Sequence, residues 1–298
     1  MRFLWELDLL GTDLYHIIHW FFIYSFLGWV METCYVAIVD RKFVNRGFVN
    51  GPVCTIYGFG ALAVYFILKP FENNILILFI MGIIVPSILE YFTGWLMEII
   101  FKTTWWDYSN YRFNIKGRIC LFNSVIWGLL TVALFLLIQP FVNFIVSLYP
   151  VSIGKPLAII AVATYLVDYG TTSYYAMDLK EKLNNMSDIM DEFASYAHLS
   201  KLYKTKEDVM EYLENSKPIE FINEIKEKLA ESIQVNKENY KEKILEKFIM
   251  LNDKYDSLKS KSNIIHNRLL IAFPTLKVKD KNKYVEELKA HIFKRKKL

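Results

Sequence analysis

Apolar residues run together in five long stretches, near residues 16 to 38, 53 to 69, 75 to 100, 119 to 143 and 156 to 176. Each approaches the ~20 residues that a helix needs to cross a bilayer, the stretch 53 to 69 being the shortest. Beyond residue 176 the pattern changes. Apolar positions return only at helical spacing, as Ile222, Ile225 and Leu229 and then Ile244, Phe248 and Leu251, between dense Lys and Glu. This periodicity predicts amphipathic helices in water. Asn215-Ser216-Lys217-Pro218 separates two of them, and Phe273-Pro274 ends a later one. The expected fold is all-α: a polytopic membrane protein with about five transmembrane helices and a C-terminal cytoplasmic helical region. Residues 1–15 read as a short extracellular leader, 16–176 as the transmembrane domain, and 177–298 as a small helical bundle or hairpin.

Within the apolar part, Gly28-Trp29-Val30-Met31-Glu32 recurs as Gly94-Trp95-Leu96-Met97-Glu98, 66 positions later. At the same offset Arg46 meets Arg112, Gly51 meets Gly117 and Cys54 meets Cys120, giving seven identities over 27 positions. The hypothesis is a helix, basic loop and helix unit written twice, as a tandem two-helix repeat.

Charge divides the chain at the same place as hydropathy. Residues 1–176 hold ten Lys+Arg and ten Asp+Glu, and the remaining 25 of 35 and 21 of 31 follow. Arg41, Lys42 and Arg46 fall in the first connection, and Lys102, Arg112, Lys116 and Arg118 in the third; Arg2, Lys69 and Lys155 fall opposite. Because cytoplasmic loops are enriched in Lys and Arg, these two connections should face the cytoplasm of a cytoplasmic membrane. The N-terminus is then outside and the C-terminal tail inside. The leader, with Glu6, Asp8 and Asp13 against Arg2, lacks the basic start of a signal peptide, so no processing is expected. Cys34, Cys54 and Cys120 have no zinc or disulfide spacing and read as structural. The terminal Lys294-Arg295-Lys296-Lys297 cluster reads as a frayed, solvated tail or as a contact with anionic lipid.

Acids inside apolar helices cost about 2.5–3.5 kcal/mol on insertion scales, so Glu32, Glu90, Glu98 and Asp168 all need partners or water. Glu90 lies farthest from a helix end, four residues after Pro86, whose ring encourages a kink; Pro140 should end or bend the fourth helix. Glu90 suits a proton or cation site or a polar substrate contact, or else an interhelical hydrogen bond that fixes packing. Glu32 and Glu98 are within reach of Arg46, Arg112 or Arg118, either as structural pairs or around a polar cavity shared by the two copies. Asp168 closes that cavity or glues helices together. Asp107, among Trp105, Trp106 and Tyr108, caps a short helix or meets Arg118. His16 and His19, one turn apart, could bind metal or sense pH, but suit the membrane interface better.

No Gly-x-x-x-x-Gly-Lys-Ser/Thr loop occurs, so the chain has no ATPase engine of that kind, and neither a His-Glu-x-x-His helix nor a Gly-x-Ser-x-Gly elbow is present. The tail's bases are balanced by acids, which argues against nucleic acid as a partner. Neither a cofactor nor a metal site is expected.

Several words stand in order: Tyr24-Ser25-Phe26-Leu27-Gly28-Trp29, Asn45-Arg46-Gly47-Phe48, Gly51-Pro52, Ile56-Tyr57-Gly58-Phe59-Gly60, Leu89-Glu90-Tyr91, Trp105-Trp106-Asp107-Tyr108-Ser109 and Gly117-Arg118-Ile119-Cys120. With them the chain resembles the ABC-transporter type IV (CmpB-like) membrane protein family over residues 16 to about 150. The likeness continues through the fifth stretch and the Arg268-Leu269-Leu270 to Phe273-Pro274 segment. Thr55 stands where the family usually has proline. The resemblance implies a permease-like protein served by a separate ATP-binding subunit, and carries over Asn45, Arg46, Glu90, Trp106, Asp107 and Arg118 as important positions.

The leading expectation is a transporter component, with Glu32, Glu90 and Asp168 along a polar path. Asn45, Arg46, Glu98, Trp106, Asp107 and Arg118 would form its cytoplasmic mouth. The alternatives are an intramembrane enzyme acting on a lipid headgroup, with Asp107 or Glu90 as acid or base, and a scaffold that recruits a partner through its tail. The lipid bilayer is the expected environment, and a homo-oligomer is compatible with the chain.

Overall fold

The computed structural model describes residues 5, 7–9, 11–101, 103–199, 209, 218–231, 238–261, 263–278 and 281–295. Arg2, Glu6, Lys102, residues 215–217 and the side chains of Leu229 and of the terminal basic cluster lie outside them. The chain forms two compact units, Met1–Ala176 with Arg268–Leu276, and Met177–Asn267 with Lys277–Leu298.

The first unit opens with a hairpin of β1 (Asp8–Leu9) and β2 (Thr12–Asp13), turned at Gly11 with φ +81°. Asp13 then caps helix α1 (Leu14–Asp40) by accepting a hydrogen bond from the His16 N–H. Next come α2 (Thr55–Leu68), which passes into a 3₁₀ turn at Lys69–Phe71, and α3 (Ile75–Phe101). An antiparallel pair, β3 (Asn114–Ile115) and β4 (Ile119–Cys120), leads into α4 (Leu121–Ala133). A π-helical turn at Leu134–Ile138 joins α4 to α5 (Gln139–Ser147) directly before Pro140, so the bend expected there is taken up by a widened turn. The α6 helix (Val151–Leu199) follows.

Four stretches are long and apolar enough to cross a membrane: Leu14–Asp40, Ile75–Ile100, Leu121–Ser147 and Val151–His198. The fifth, Thr55–Phe71, is shorter. Its 14-residue α-helical part reaches about 21 Å of the ~30 Å hydrocarbon core. The stretch expected at 156 to 176 lies within a helix that continues unbroken to Leu199, because the change at residue 176 is one of hydropathy and not of helical propensity.

One residue pair at the tandem offset takes equivalent places in the backbone. Cys54 and Cys120, 66 positions apart, are the N-cap residues of α2 and α4. Both helix pairs, α1 with α2 and α3 with α4, pack through glycine, though at positions that do not share the offset. A Cβ at Gly28 would meet Tyr57 Cδ2 at 2.7 Å, and one at Gly58 would meet Phe21 Cδ2 at 2.7 Å, so α1 and α2 approach closely. Between α3 and α4, a Cβ at Gly82 would come within 2.5 Å of Thr131 Cβ, and one at Gly128 within 2.8 Å of Ile83 Cγ1. Small residues at helix interfaces allow this contact where lipid offers no hydrophobic drive toward association. Pro86 sits within a continuous α3; the neighbouring Ser87 Oγ lies 2.6 Å from Ile83 O and 2.7 Å from Ser124 Oγ on α4.

The second unit contains the later part of α6, α7 (Pro218–Glu231), α8 (Glu238–Ser260), the start of α9 (Ile264–Ala272) and α10 (Asn282–Arg295). The amphipathic positions Ile222, Ile225, Ile244, Phe248 and Leu251 are buried, as their spacing predicted. Phe193 and Phe248 stack at 5.7 Å, with Phe221 edge-on to both. α7 begins at Pro218 and α9 ends before Phe273-Pro274, where proline was expected to stop it.

Gly58→Ala should lower stability in detergent by about 1–3 kcal/mol through overpacking against Phe21. Gly60→Ala, with nothing within 4 Å of the added carbon, should raise it by up to about 1 kcal/mol through helix propensity. Thermal unfolding of both variants decides the point; equal shifts would refute the glycine-packed interface.

Candidate functional site

The acids of the apolar helices are held in four different ways within the first unit. Glu32, on the same α1 face as Gly28, accepts a hydrogen bond from Tyr57 OH at 2.7 Å, and Arg46 Nε lies 3.6 Å from its other oxygen. Glu98, its counterpart in the repeat, is gripped by both arms of Arg118, with Nε–Oε1 at 3.1 Å and Nη2–Oε2 at 2.5 Å. Arg118 also donates to Tyr91 OH at 3.0 Å and stacks over that ring at 5.0 Å. The Glu98 bonds make the Arg118 guanidinium still more basic than usual. The copies therefore differ. The first takes its cation from mid-loop and the second from the loop's end, while Arg112, the sequence counterpart of Arg46, stays exposed.

Glu90 stands apart. It is 9% exposed and takes its hydrogen bonds from neutral donors, Trp127 Nε1 at 3.0 Å and Tyr108 OH at 3.2 Å. Among the described residues no cation lies within ion-pair distance of it. Tyr108 belongs to the connection after α3, which reaches back to this acid; burial, then the Glu90 charge, push its phenol well above the usual range. Tyr57 lies 5.9 Å from Trp127, so the donors of Glu32 and Glu90 are neighbours.

Asp168 on α6 is engaged elsewhere. It accepts from the Asn50 N–H at 3.0 Å, the Asn50 side-chain amide at 2.7 Å and the Gly51 N–H at 2.7 Å, holding the α1–α2 connection. Asn45 organises the same connection. Its Oδ1 accepts from Trp29 Nε1 at 2.8 Å and from the Gly47 N–H at 2.9 Å, and its amide donates to Asn50 O at 2.8 Å.

A segment distant in sequence completes this end. Arg268 donates to Gly47 O at 2.7 Å and to Phe48 O, and Arg46 donates to Ala272 O while lying 5.6 Å over the Phe273 ring. Phe273 meets Trp105 edge-on at 4.7 Å, and Trp105 meets Phe48 at 5.4 Å. Burial lowers the basicity of Arg268, and the Asp168 charge partly restores it. Trp106 donates to Arg118 O at 2.9 Å, and Asp107 accepts from the Ser109 N–H at 2.9 Å, capping a turn. Gly94, Glu98, Trp105, Trp106 and Arg118 line a tight crevice beside this turn.

The structure thus brings Glu32, Arg46 and Asn45 around one connection and Glu98, Trp106, Asp107 and Arg118 around the other. Glu90 lies between Trp127 and Tyr108, and Asp168 binds the first loop. His16 meets Asp13 at 2.6 Å and His19 meets Tyr15 O at 2.7 Å, and among the described residues no cluster suits a metal. Sequence reasoning assigned no role to Tyr57, Tyr108, Trp127, Asn50 or Arg268. Tyr57, Tyr108 and Arg268 stood within family-like words that could have marked them; nothing in the sequence singled out Trp127 or Asn50.

Arg118→Lys should cost about 2 kcal/mol of stability, because a lysine cannot reproduce the two-armed bond to a half-buried carboxylate. Arg112→Lys, at an exposed site, should be neutral. Chemical unfolding of the two variants would refute the assigned pairing if their losses were equal.

Residues 19–173 match the family model described as Putative ABC-transporter type IV. Neither a curated protein nor a solved structure matches the chain. The match covers more than half of the 298 residues, including both Gly-Trp-x-Met-Glu words and the Asp168 region. The chain therefore belongs to this ABC-transporter type IV family of membrane proteins.

Proposed function

We propose that the chain is the membrane-embedded component of a transporter, with the Glu32–Glu90 region as the polar centre of its path and a separate ATP-binding subunit as its energy source. The observation that carries this reading is Glu90: a buried acid in an apolar helix, held by two neutral donors with no cation in ion-pair distance among the described residues. A group so placed is expensive to keep, and such acids mark ion and substrate paths. A proton, a cationic cargo or a hydrogen-bond donor would relieve it. Glu32, reached through Tyr57 and steered by Arg46, gives the cargo a second carboxylate toward the loop end of α1. Asn45, Glu98, Trp106, Asp107 and Arg118 shape the mouth by fixing the two connections, and Asp168 acts from α6 by clamping the first. The Lys and Arg bias puts this mouth and residues 177–298 in the cytoplasm and the N-terminus outside, in a cytoplasmic-membrane protein of about five crossings.

The test is capture of the full chain in mild detergent, as wild type and Glu90→Gln, with mass spectrometry of everything retained. An ATP-binding subunit in stoichiometric amount is expected with both. ATP hydrolysis by the reconstituted assembly should fall about tenfold or more in the variant, while its unfolding temperature moves by less than about 2 °C. A tightly held lipid with no ATP-binding subunit would overturn the reading, as would a variant that loses stability in step with activity.

A further inference from the structure

Every non-glycine residue of the described chain with a left-handed backbone falls in one of the two repeat connections: Arg41 at φ 51°, Phe113 at 54° and Lys116 at 52°. For residues with full side chains this conformation is costly, and it persists only where surrounding bonds impose it. In the second connection they do. Asn114 donates to Ser109 O and Tyr111 O, Gly117 N–H donates to Asn114 Oδ1, and Tyr108 N–H donates to Gly117 O.

What this strained backbone presents is apolar and cationic together. Phe43 is 76% exposed and Phe113 79%, among the most exposed large apolar side chains of the chain. Tyr111 and Ile115 stand out beside Phe113. Arg41 and Lys42 flank Phe43, and Arg112 and Lys116 flank Phe113; all four cations are exposed, and none pairs with an acid among the described residues. Asp40, next to Arg41, offsets one charge of the first tip. The contrast with Arg46 and Arg118, both spent on carboxylates, is direct. Both tips lie at one end of the unit, since their connections meet through Phe48 and Trp105.

We propose that the Arg41–Phe43 and Tyr111–Lys116 tips form a two-pronged site for anionic phospholipid. The cations pair with headgroup phosphate, and the rings settle at headgroup depth, where aromatic side chains are favoured. The charge complement selects an anionic lipid over a zwitterionic one, and the bonded turn at 108–117 presents the second prong at little ordering cost. This inference is independent of whether the chain transports anything.

The full chain in detergent is titrated with phosphatidylglycerol or with phosphatidylcholine, and its unfolding temperature is followed. Wild type should respond to phosphatidylglycerol at roughly tenfold lower concentration, less so at high salt. The R41N/K42Q/R112Q/K116N variant, in which asparagine replaces both left-handed cations, should erase that preference while unfolding at the wild-type temperature without added lipid. F43S/F113S should weaken the response to both lipids and keep the preference. A wild type with no preference, or a charge variant that retains it, would overturn the site; the unchanged lipid-free unfolding temperature separates loss of binding from loss of fold.

Discussion

A carboxylate on an apolar helix is costly unless it is paired, and the first unit is arranged around meeting that demand from within the protein. Arg118 answers it for Glu98 with a planar, two-armed bond backed by Tyr91. Asp168 is satisfied by two backbone amides and a side-chain amide, all from the α1–α2 connection. Glu32 shares Tyr57 and Arg46. In each case a loop or a different helix supplies the closest partners, so charge satisfaction and tertiary assembly are the same event. Glu90 follows a different rule, with indole and phenol donors and no positive charge close by, and this sets it apart from its neighbours chemically.

The helices reach these partners because glycine brings their backbones close. Gly28 lies under Tyr57, whose hydroxyl serves Glu32 one turn further along α1. Gly94, its counterpart, would carry its Cβ 3.1 Å from Trp106, whose indole binds Arg118 O. Thus the Gly-Trp-x-Met-Glu word is a packing device and a charge device four residues apart, on one helical face. The two helix pairs carry different loops: one is tied to Asp168 and Arg268, the other turns tightly and sends Tyr108 back to Glu90.

Arg46 shows how several such demands converge on one side chain. It faces Glu32, donates to Ala272 O and covers Phe273, so the 268–276 segment and the first acid share a single cation. Arg268, in turn, satisfies two loop carbonyls that the turn at Gly47 and Phe48 leaves open. A stretch from the far end of the chain thereby becomes part of the membrane unit.

Hydropathy and helical period made the all-α class, the apolar helices and the amphipathic pattern after residue 176 legible from the sequence, because these are properties of neighbouring residues. The acids that needed partners could be named on the same ground, since the cost of a charge in an apolar helix does not depend on what answers it. The answers were not legible. Arg46, Arg112 and Arg118 were equal candidates for Glu32 and Glu98, and Tyr57, Trp127 and Arg268 had no assigned part. Choosing among them depends on distances between groups up to 226 positions apart. Only the close glycine contacts and the path of each loop fix those distances, which is why the tertiary structure alone decided them.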